Sequence, residues 1–152
     1  MSWGWGPAAA LEVVLEPVEV SGTLALAGTL KAKQVAAANV AAVTTDAKVD
    51  GDLTVGEGAA LSFAQVGETA AVTSLSVGAL DLGAEPGTVT ISVANSKALR
   101  GQTVKLVGFT SVVGSLDGWT VESNYDMDVS VTLEADGIYA TFGKPGALLI
   151  LR

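Results

Sequence analysis

The sequence contains no cysteine and no histidine among its 152 residues. Without cysteine the chain has no disulfide, no thiolate nucleophile and no cysteine-ligated zinc site. Without histidine it lacks the usual general base and the most common protein ligand of transition metals. Catalytic arrangements built on Ser-His-Asp or Cys-His are therefore excluded. We predict that the protein is not an enzyme and that it uses no cofactor.

Basic residues are scarce. Eight Lys and Arg stand against sixteen Asp and Glu, which gives a net charge of −8 and an isoelectric point near 4.3. Because an acidic surface repels phosphate, we predict no binding to nucleic acid or to anionic lipid. Charged residues make up only 16% of the chain and hydrophobic residues 49%, which is the opposite of the balance in disordered segments. We therefore expect a folded chain of one domain.

Long apolar runs are also missing. Residues 8–15 and 147–151 are the most apolar stretches, and both are shorter than the roughly 20 residues that span a bilayer. We predict no membrane insertion in this segment. Residues 1–17 lack the basic start of a secretory signal and are interrupted by Glu12 and Glu16. If the protein works outside the cell, we expect its export signal not to be present in this chain.

The main positive signal is period-two alternation of aliphatic residues with small or polar ones. This pattern predicts short β-strands with one buried face. It recurs at residues 24–26, 53–55, 61–63, 75–77, 80–82, 89–93, 104–106, 129–133 and 138–142. Gly-containing and Pro-containing turn signals separate the runs. Asp136 and Gly137, between the last two runs, predict a hairpin.

Residues 31–45 do not follow this pattern. The stretch is rich in alanine, which favours a helix. Its valines, Val35, Val40 and Val43, fit a period of 3.6 residues poorly. A helix and an irregular strand with loop are both compatible with this stretch.

Small side chains, very short strands and frequent glycine corners predict an all-β fold of the parallel β-solenoid type, with coils stacked about 4.8 Å apart. At roughly 20–25 residues per coil, the body would contain about four coils. We expect residues 1–98 to form this body from short strands. We expect residues 99–152 to form longer strands, including a C-terminal hairpin cap. The alternative is an antiparallel β-sandwich, which is typical when strands recur every 8–12 residues or so.

A family resemblance supports the solenoid prediction. Residues 51–63, Gly-Asp-Leu-Thr-Val-Gly-Glu-Gly-Ala-Ala-Leu-Ser-Phe, resemble the coils of bacterial autotransporter passenger domains and of autotransporter-associated β-strand repeat proteins. Residues 21–26 and 74–82 repeat the pattern, and residues 104–142 are similar to the closing strands of such proteins. The resemblance covers about residues 20–142 and implies a right-handed parallel β-helix on the cell surface. The Tyr-Thr-Gly-Gly-Thr element of the fuller repeats is missing from the sequence.

These observations lead to an expected function. We expect a non-catalytic segment, extracellular or on the bacterial cell surface, with a structural or adhesive role. Its expected partners are glycans or surface proteins, and the ends of a solenoid would allow self-association. The alternative is a carbohydrate-binding β-sandwich module.

Three C-terminal aromatic residues are the candidate ligand-binding residues. Trp119, Tyr125 and Tyr139 have flat rings that cover a sugar face and carry a polar atom for a hydrogen bond. The competing interpretation is structural: Trp119 and Phe142 fill the core or cap the last coil. On that interpretation Trp3 and Trp5, which are flanked by glycines, cover the opposite end.

Two acidic groups have residue types that occur in metal or catalytic sites. Asn124, Asp126 and Asp128 have the spacing that opens a calcium loop. An EF-hand is excluded, because Val129 stands where that loop requires glycine and Ala135 where it requires a bidentate carboxylate. A solvated loop is the alternative interpretation.

The second group is Asp46, Asp50 and Asp52. It has the residue types of a paired-carboxylate glycosidase or a cation site. Arg100 and Lys105 are the basic residues that a pectinolytic β-helix enzyme would need beside such aspartates. The favoured interpretation is a charged surface corner, because such enzymes require many more coils to form a substrate cleft.

Overall fold

The computed structural model describes residues 17–144, and the structural statements below concern those residues. They form twelve β-strands and one short helix. The strands are β1 (Val18–Leu26), β2 (Thr29–Ala42), β3 (Ala47–Val55), β4 (Ala60–Ala64), β5 (Leu75–Ser76), β6 (Ala79–Asp81), β7 (Thr88–Ser92), β8 (Thr103–Gly108), β9 (Ser111–Val113), β10 (Thr120–Ser123), β11 (Val129–Glu134) and β12 (Gly137–Phe142). The helix, α1, is Ser96–Leu99. The predicted all-β fold is confirmed, and each of the nine alternating runs overlaps a strand.

All twelve strands belong to one mixed sheet. The pairings among β1 to β10 are parallel. The last two strands are antiparallel, because β12 pairs with β8 and β11 pairs with β12. The strands at the two ends of the path through the sheet, β10 and β11, contact each other. The sheet is therefore nearly closed.

The strand pairs fall into three groups. One group joins the start of β1 to the middle of β2, the end of β3, β6 and β9. The second joins the end of β1 to the end of β2, β4, β7 and β10. The third joins the start of β2 to the start of β3, β5 and β8, and continues into β12 and β11.

The core is built from aliphatic side chains that stack across paired strands. In the first group the register places Val35, Leu53 and Leu80 directly beside one another, and all three are buried. Their neighbours along the strands, Ala36 and Thr54, are exposed. Alternation in each short strand therefore supplies one side chain to the core and one to the surface.

Residues 31–45 are mainly strand, so a helix there is excluded. β2 is paired with β1 along one edge and with β3 and β4 along the other. Pairing on both edges outweighs the weak helix preference of alanine, which tertiary context commonly overrides. The small side chains fit the core face of the strand. The buried residues of β2 are Ala32, Val35, Ala37, Val40 and Ala42.

The expectation of short strands before residue 99 and longer ones after it is wrong. β2 has 14 residues and β1 and β3 have nine each, whereas β8, β11 and β12 have six each. The early strands are long because a strand continues while its pairing partner changes from one group to the next. The boundary predicted between residues 98 and 99 falls inside α1.

The predicted hairpin is confirmed. β11 and β12 are antiparallel, and Glu134 pairs with Gly137 across the turn formed by Ala135 and Asp136. Within residues 17–144 no helix is both long and apolar enough to cross a membrane. Trp3 and Trp5, which were predicted to cover one end, lie outside the described residues.

Candidate functional site

The three predicted aromatic residues have different surroundings and do not form one platform. Trp119 precedes β10, is partly buried and packs against the core. Its ring lies over Gly87: a Cβ atom at Gly87 would be 2.9 Å from Cζ3 of Trp119. This contact agrees with the packing interpretation of Trp119. Phe142 is buried as well, with an exposed fraction of 1%.

Tyr125 does not offer a ring face to a ligand. Its side chain is buried, and its ring packs edge-on against Phe142 with 5.0 Å between the centroids. Its hydroxyl donates a hydrogen bond to the carbonyl oxygen of Gly143. Burial raises the pKa of this hydroxyl. The proposed stacking role for Tyr125 is therefore incompatible with its position, because a sugar needs an open ring face.

Tyr139 lies on the outer face of β12 and belongs to a cluster of polar side chains. Its hydroxyl donates to Asp136, with distances of 3.1 Å to Oδ1 and 3.0 Å to Oδ2. The Nζ atom of Lys105 is 3.3 Å from Oδ2 of Asp136 and 5.8 Å from the centroid of the Tyr139 ring. We call Lys105, Asp136 and Tyr139 the Tyr139 cluster.

Strand register and one glycine hold this cluster together. The antiparallel pairing of β12 with β8 places Tyr139 opposite Lys105, and the β11–β12 turn carries Asp136. A Cβ atom at Gly137 would be 2.6 Å from Cε of Lys105 and 2.4 Å from the carbonyl oxygen of Val107. The absence of a side chain at Gly137 therefore lets the Lys105 stem cross the strand toward Asp136.

The ring of Tyr139 lines a shallow groove of about 420 Å³ on the outer face of β8, β12 and β11, which we call the hairpin groove. In addition to Tyr139 and Asp136, the groove is lined by Thr103, Thr132, Glu134 and Thr141. The register explains this grouping, because Thr132 lies opposite Tyr139 and Thr141 lies opposite Thr103. The Oγ1 atoms of the latter pair are 3.1 Å apart.

The charges of the cluster stabilise each other. The hydrogen bond from Tyr139 and then that from Lys105 lower the pKa of Asp136. The same contact with Asp136 raises the pKa of Lys105. Both side chains are therefore ionised around neutral pH. Two carboxylates, those of Glu134 and Asp136, and the ammonium group of Lys105 therefore lie at the groove.

Two of the three calcium-loop residues, Asn124 and Asp126, bind other groups with their side chains. Asn124 accepts a hydrogen bond from the backbone nitrogen of Val93 at 2.7 Å and donates to its carbonyl oxygen at 2.8 Å. Asp126 forms an ion pair with Arg100. Within the part of the chain that the structure describes, no three acidic side chains are grouped so that they could hold a metal ion.

The residues of the other acidic group, Asp46, Asp50 and Asp52, also have different surroundings. Oδ1 of Asp52 accepts a hydrogen bond from the backbone nitrogen of Ala79 at 2.9 Å, so this carboxylate links β3 to β6. Asp46 is exposed and precedes β3, and Asp50 lies within β3. Arg100 and Lys105 pair with Asp126 and Asp136, which are outside this group.

Comparisons with protein-family models, with curated proteins and with solved structures found no match. The candidate site therefore rests on the geometry of the chain itself.

Sequence reasoning identified Tyr139 but not its neighbours. The hairpin signal at Asp136 and Gly137 predicts the pairing of β11 with β12 but not its register. A two-residue turn at those residues would place Glu134 opposite Tyr139, whereas the turn at Ala135 and Asp136 places Thr132 there. Lys105 had no comparable signal. It reaches the cluster through the pairing of β8 with β12, which are far apart in sequence.

Proposed function

We propose that the protein is a non-catalytic, extracellular or cell-surface segment of the autotransporter-passenger type. In this proposal the fold is a parallel β-solenoid with a C-terminal hairpin cap, and the role is structural or adhesive. One observation carries it. Parallel partners recur in three groups, and each residue pairs with one that lies 16 to 32 positions later, from Thr23 with Asn39 to Leu80 with Val112.

This pairing suits a structural role. Each added turn of a solenoid extends the same backbone hydrogen-bond ladders and buries another layer of aliphatic side chains. Ala36, Thr54 and Asp81 are outward residues of one ladder and are small or polar, and the ladder ends at the exposed Val113. A scaffold or an adhesive segment needs a rigid body with long, polar faces.

The β11–β12 hairpin suits the role of a cap. Val129, Val131 and Leu133 are partly buried against the core, while the residues between them are exposed. Such a hairpin shields the last core layer and replaces an open parallel edge, which would otherwise pair with other chains. Self-association through the solenoid ends belongs to the same proposal, and sedimentation of the purified chain over a range of concentrations would detect it.

Cell-surface labelling tests the proposal. Antibodies raised against the purified chain should label intact cells that produce the protein, and protease added outside the cells should remove the label. Beads coated with the chain should also adhere to cells more strongly than beads coated with an unrelated acidic protein of similar mass. Labelling that requires permeabilised cells, together with no adhesion, would contradict the proposal.

Carbohydrate binding is the second candidate function, and the hairpin groove favours it. The groove combines one aromatic ring with threonine hydroxyls and carboxylates, which supply a stacking surface and hydrogen-bonding groups for a polar ligand. This function does not require a sandwich, because β8, β12 and β11 supply the whole surface. An array of glycans probed with the purified chain, beside Trp119→Ala and Tyr139→Ala, tests it.

A further inference from the structure

We propose that the hairpin groove binds a neutral pyranose sugar and excludes anionic ones. Tyr139 provides the stacking surface, and Asp136 and Lys105 bind adjacent hydroxyl groups. The carboxylate of Glu134 repels acidic sugars. This inference rests on the second candidate function and names its site and its ligand class.

The stacking surface is held in place before a ligand arrives. The hydroxyl of Tyr139 is bonded to both oxygens of Asp136, and the ammonium group of Lys105 lies over one face of the ring, so a sugar would stack on the other face. Thr132 and Lys105 flank the ring across the strands on either side. A side chain that is ordered in the free protein loses little entropy on binding, and this favours affinity.

The groups around the ring can both donate and accept hydrogen bonds. Carboxylates are acceptors, ammonium groups are donors, and threonine hydroxyls are both. The side chains of Lys105 and Asp136 are 42% and 64% exposed, so each has capacity for a ligand beyond their mutual contact. A pair of neighbouring sugar hydroxyls needs such a mixture of acceptors and donors, and bonds to charged groups are the stronger kind.

The charge balance at the groove separates neutral sugars from acidic ones. Two carboxylates, Glu134 and Asp136, stand against one ammonium group at the groove. The whole chain has a net charge of −8. A carboxylated or sulfated sugar would meet repulsion both during approach and in the groove, whereas a neutral sugar would not.

The experiment uses the purified chain and pairs of oligosaccharides that differ only by sialylation or sulfation. We expect the neutral member of a pair to bind at least about ten times more tightly, with a difference that narrows at high salt. Tyr139→Ala should weaken binding of the neutral sugar at least about tenfold. Glu134→Lys should raise the affinity for the acidic member.

Matched controls separate loss of the site from loss of the fold. Trp119→Ala changes a packing residue away from the groove and should leave sugar affinity unchanged as long as the chain stays folded. Circular dichroism and the thermal midpoint of each variant report folding. Tyr139→Phe retains the ring but loses the bond to Asp136, so it should bind more weakly than the wild type and more tightly than Tyr139→Ala.

Three results would overturn the inference. Tighter binding of the acidic sugars would contradict the charge argument. Loss of binding in Trp119→Ala, with Tyr139→Ala unaffected, would retain carbohydrate binding but move it away from the groove. No binding of any sugar would remove both this site and the second candidate function, while cell-surface labelling would still test the structural or adhesive role separately.

Discussion

Gln65, in the loop that follows β4, shows how single polar side chains organise this chain. Its side chain is buried and makes four hydrogen bonds. Nε2 donates to the carbonyl oxygens of Thr69 and Asn95, and Oε1 accepts from the backbone nitrogens of Ala94 and Asn95. One amide therefore links its own loop to the segment that leads into α1.

Replacing Gln65 by leucine should destabilise the fold by about 2–4 kcal/mol. The leucine has nearly the same size but leaves four partly buried backbone groups without their side-chain partner, and a fully buried group without a partner costs roughly 1–3 kcal/mol. Urea denaturation followed by circular dichroism gives the free energy of unfolding. Gln34→Leu is the matched control, because Gln34 is exposed on β2 and its replacement should change stability by less than about 0.5 kcal/mol. Equal effects of the two substitutions would show that the Gln65 amide does not hold the loops.

Gly51 marks a place where two backbones come too close for a side chain. A Cβ atom there would be 1.8 Å from the carbonyl oxygen of Ala32. Gly51→Ala should therefore lower the free energy of unfolding by about 1–3 kcal/mol or more, since the strands must separate. Gly28→Ala is the control, because a Cβ atom at Gly28 meets nothing within 4 Å. Thermal midpoints of the two variants measured side by side decide between these expectations.

The Asp-Gly sequence at Asp50 and Gly51 illustrates what residue types alone do not determine. The pair has the residue types of a tight turn, yet both residues lie within β3. The pairing of β2 with β3 shifts register at this point, between Lys31 and Gln34. Glycine is needed here because β2 and β3 approach each other closely where their pairing is irregular. In the sequence, a glycine that serves this purpose looks the same as a glycine in a turn.

At the scale of elements, an ion pair with Lys105 links the turn of the β11–β12 hairpin to β8, and the hydroxyl of Tyr139 donates to the same Asp136. The pKa of Asp136 is lowered in the folded chain, so its contribution to stability is present above the ordinary pKa of 3.8. That contribution is lost as the pH falls through the lowered folded value. The pKa of Lys105 is raised, so its contribution is present below the ordinary pKa of 10.5 and is lost as the pH rises through the raised folded value.

These contacts predict the pKa of the Asp136 carboxyl group and its response to substitution. In an NMR titration the pKa of Asp136 should lie below 3.8, and Tyr139→Phe should move it upward by removing the hydrogen bond that contributes most. Thr132→Ala, opposite Tyr139 on β11, keeps that bond and should leave the titration unchanged. A Tyr139→Phe chain that titrates like the wild type would show that the cluster does not form in solution.

Strands were predictable where apolar and polar residues alternate clearly. They were not predictable where pairing with distant strands determines the secondary structure. The runs at residues 129–133 and 138–142 gave both the strands and the hairpin, because the pattern and the turn signal are local. The state of β2 was not determined, since its alanines fit a helix or a strand and only the neighbours on both edges select the strand. β9 and β10 had no alternating run of their own.

At the scale of the whole molecule, the all-β class followed from the sequence, whereas the grouping of strands did not. Pairing partners move apart along the chain, from Val18 with Val35 to Ala79 with Ser111, a separation that grows from 17 to 32 positions. A fixed repeat length therefore never appears in the sequence. Only part of the candidate site could be predicted, for the same reason. Tyr139 was identified from the sequence, whereas its contact with Lys105 depends on the long-range pairing of β8 with β12.

Parallel stacking of the strands is the central claim, and designed disulfides test it most directly. The chain has no cysteine, so each bond formed is a designed one. Thr54 and Asp81 are register partners, as are Asp81 and Val113. Adjacent strands are about 4.8 Å apart, which is within the roughly 4.4–6.8 Å between the Cα atoms of a disulfide, and strands two steps apart exceed it.

The measurement is the fraction of disulfide formed under mild oxidation in three double-cysteine variants, with cysteines at 54 and 81, at 81 and 113, and at 54 and 113. Parallel stacking predicts rapid bond formation in the first two variants and little in the third, which uses the same positions in a different combination. Rapid bond formation between 54 and 113, or none in the first two variants while the chain stays folded, would contradict the stacking and the proposed solenoid with it.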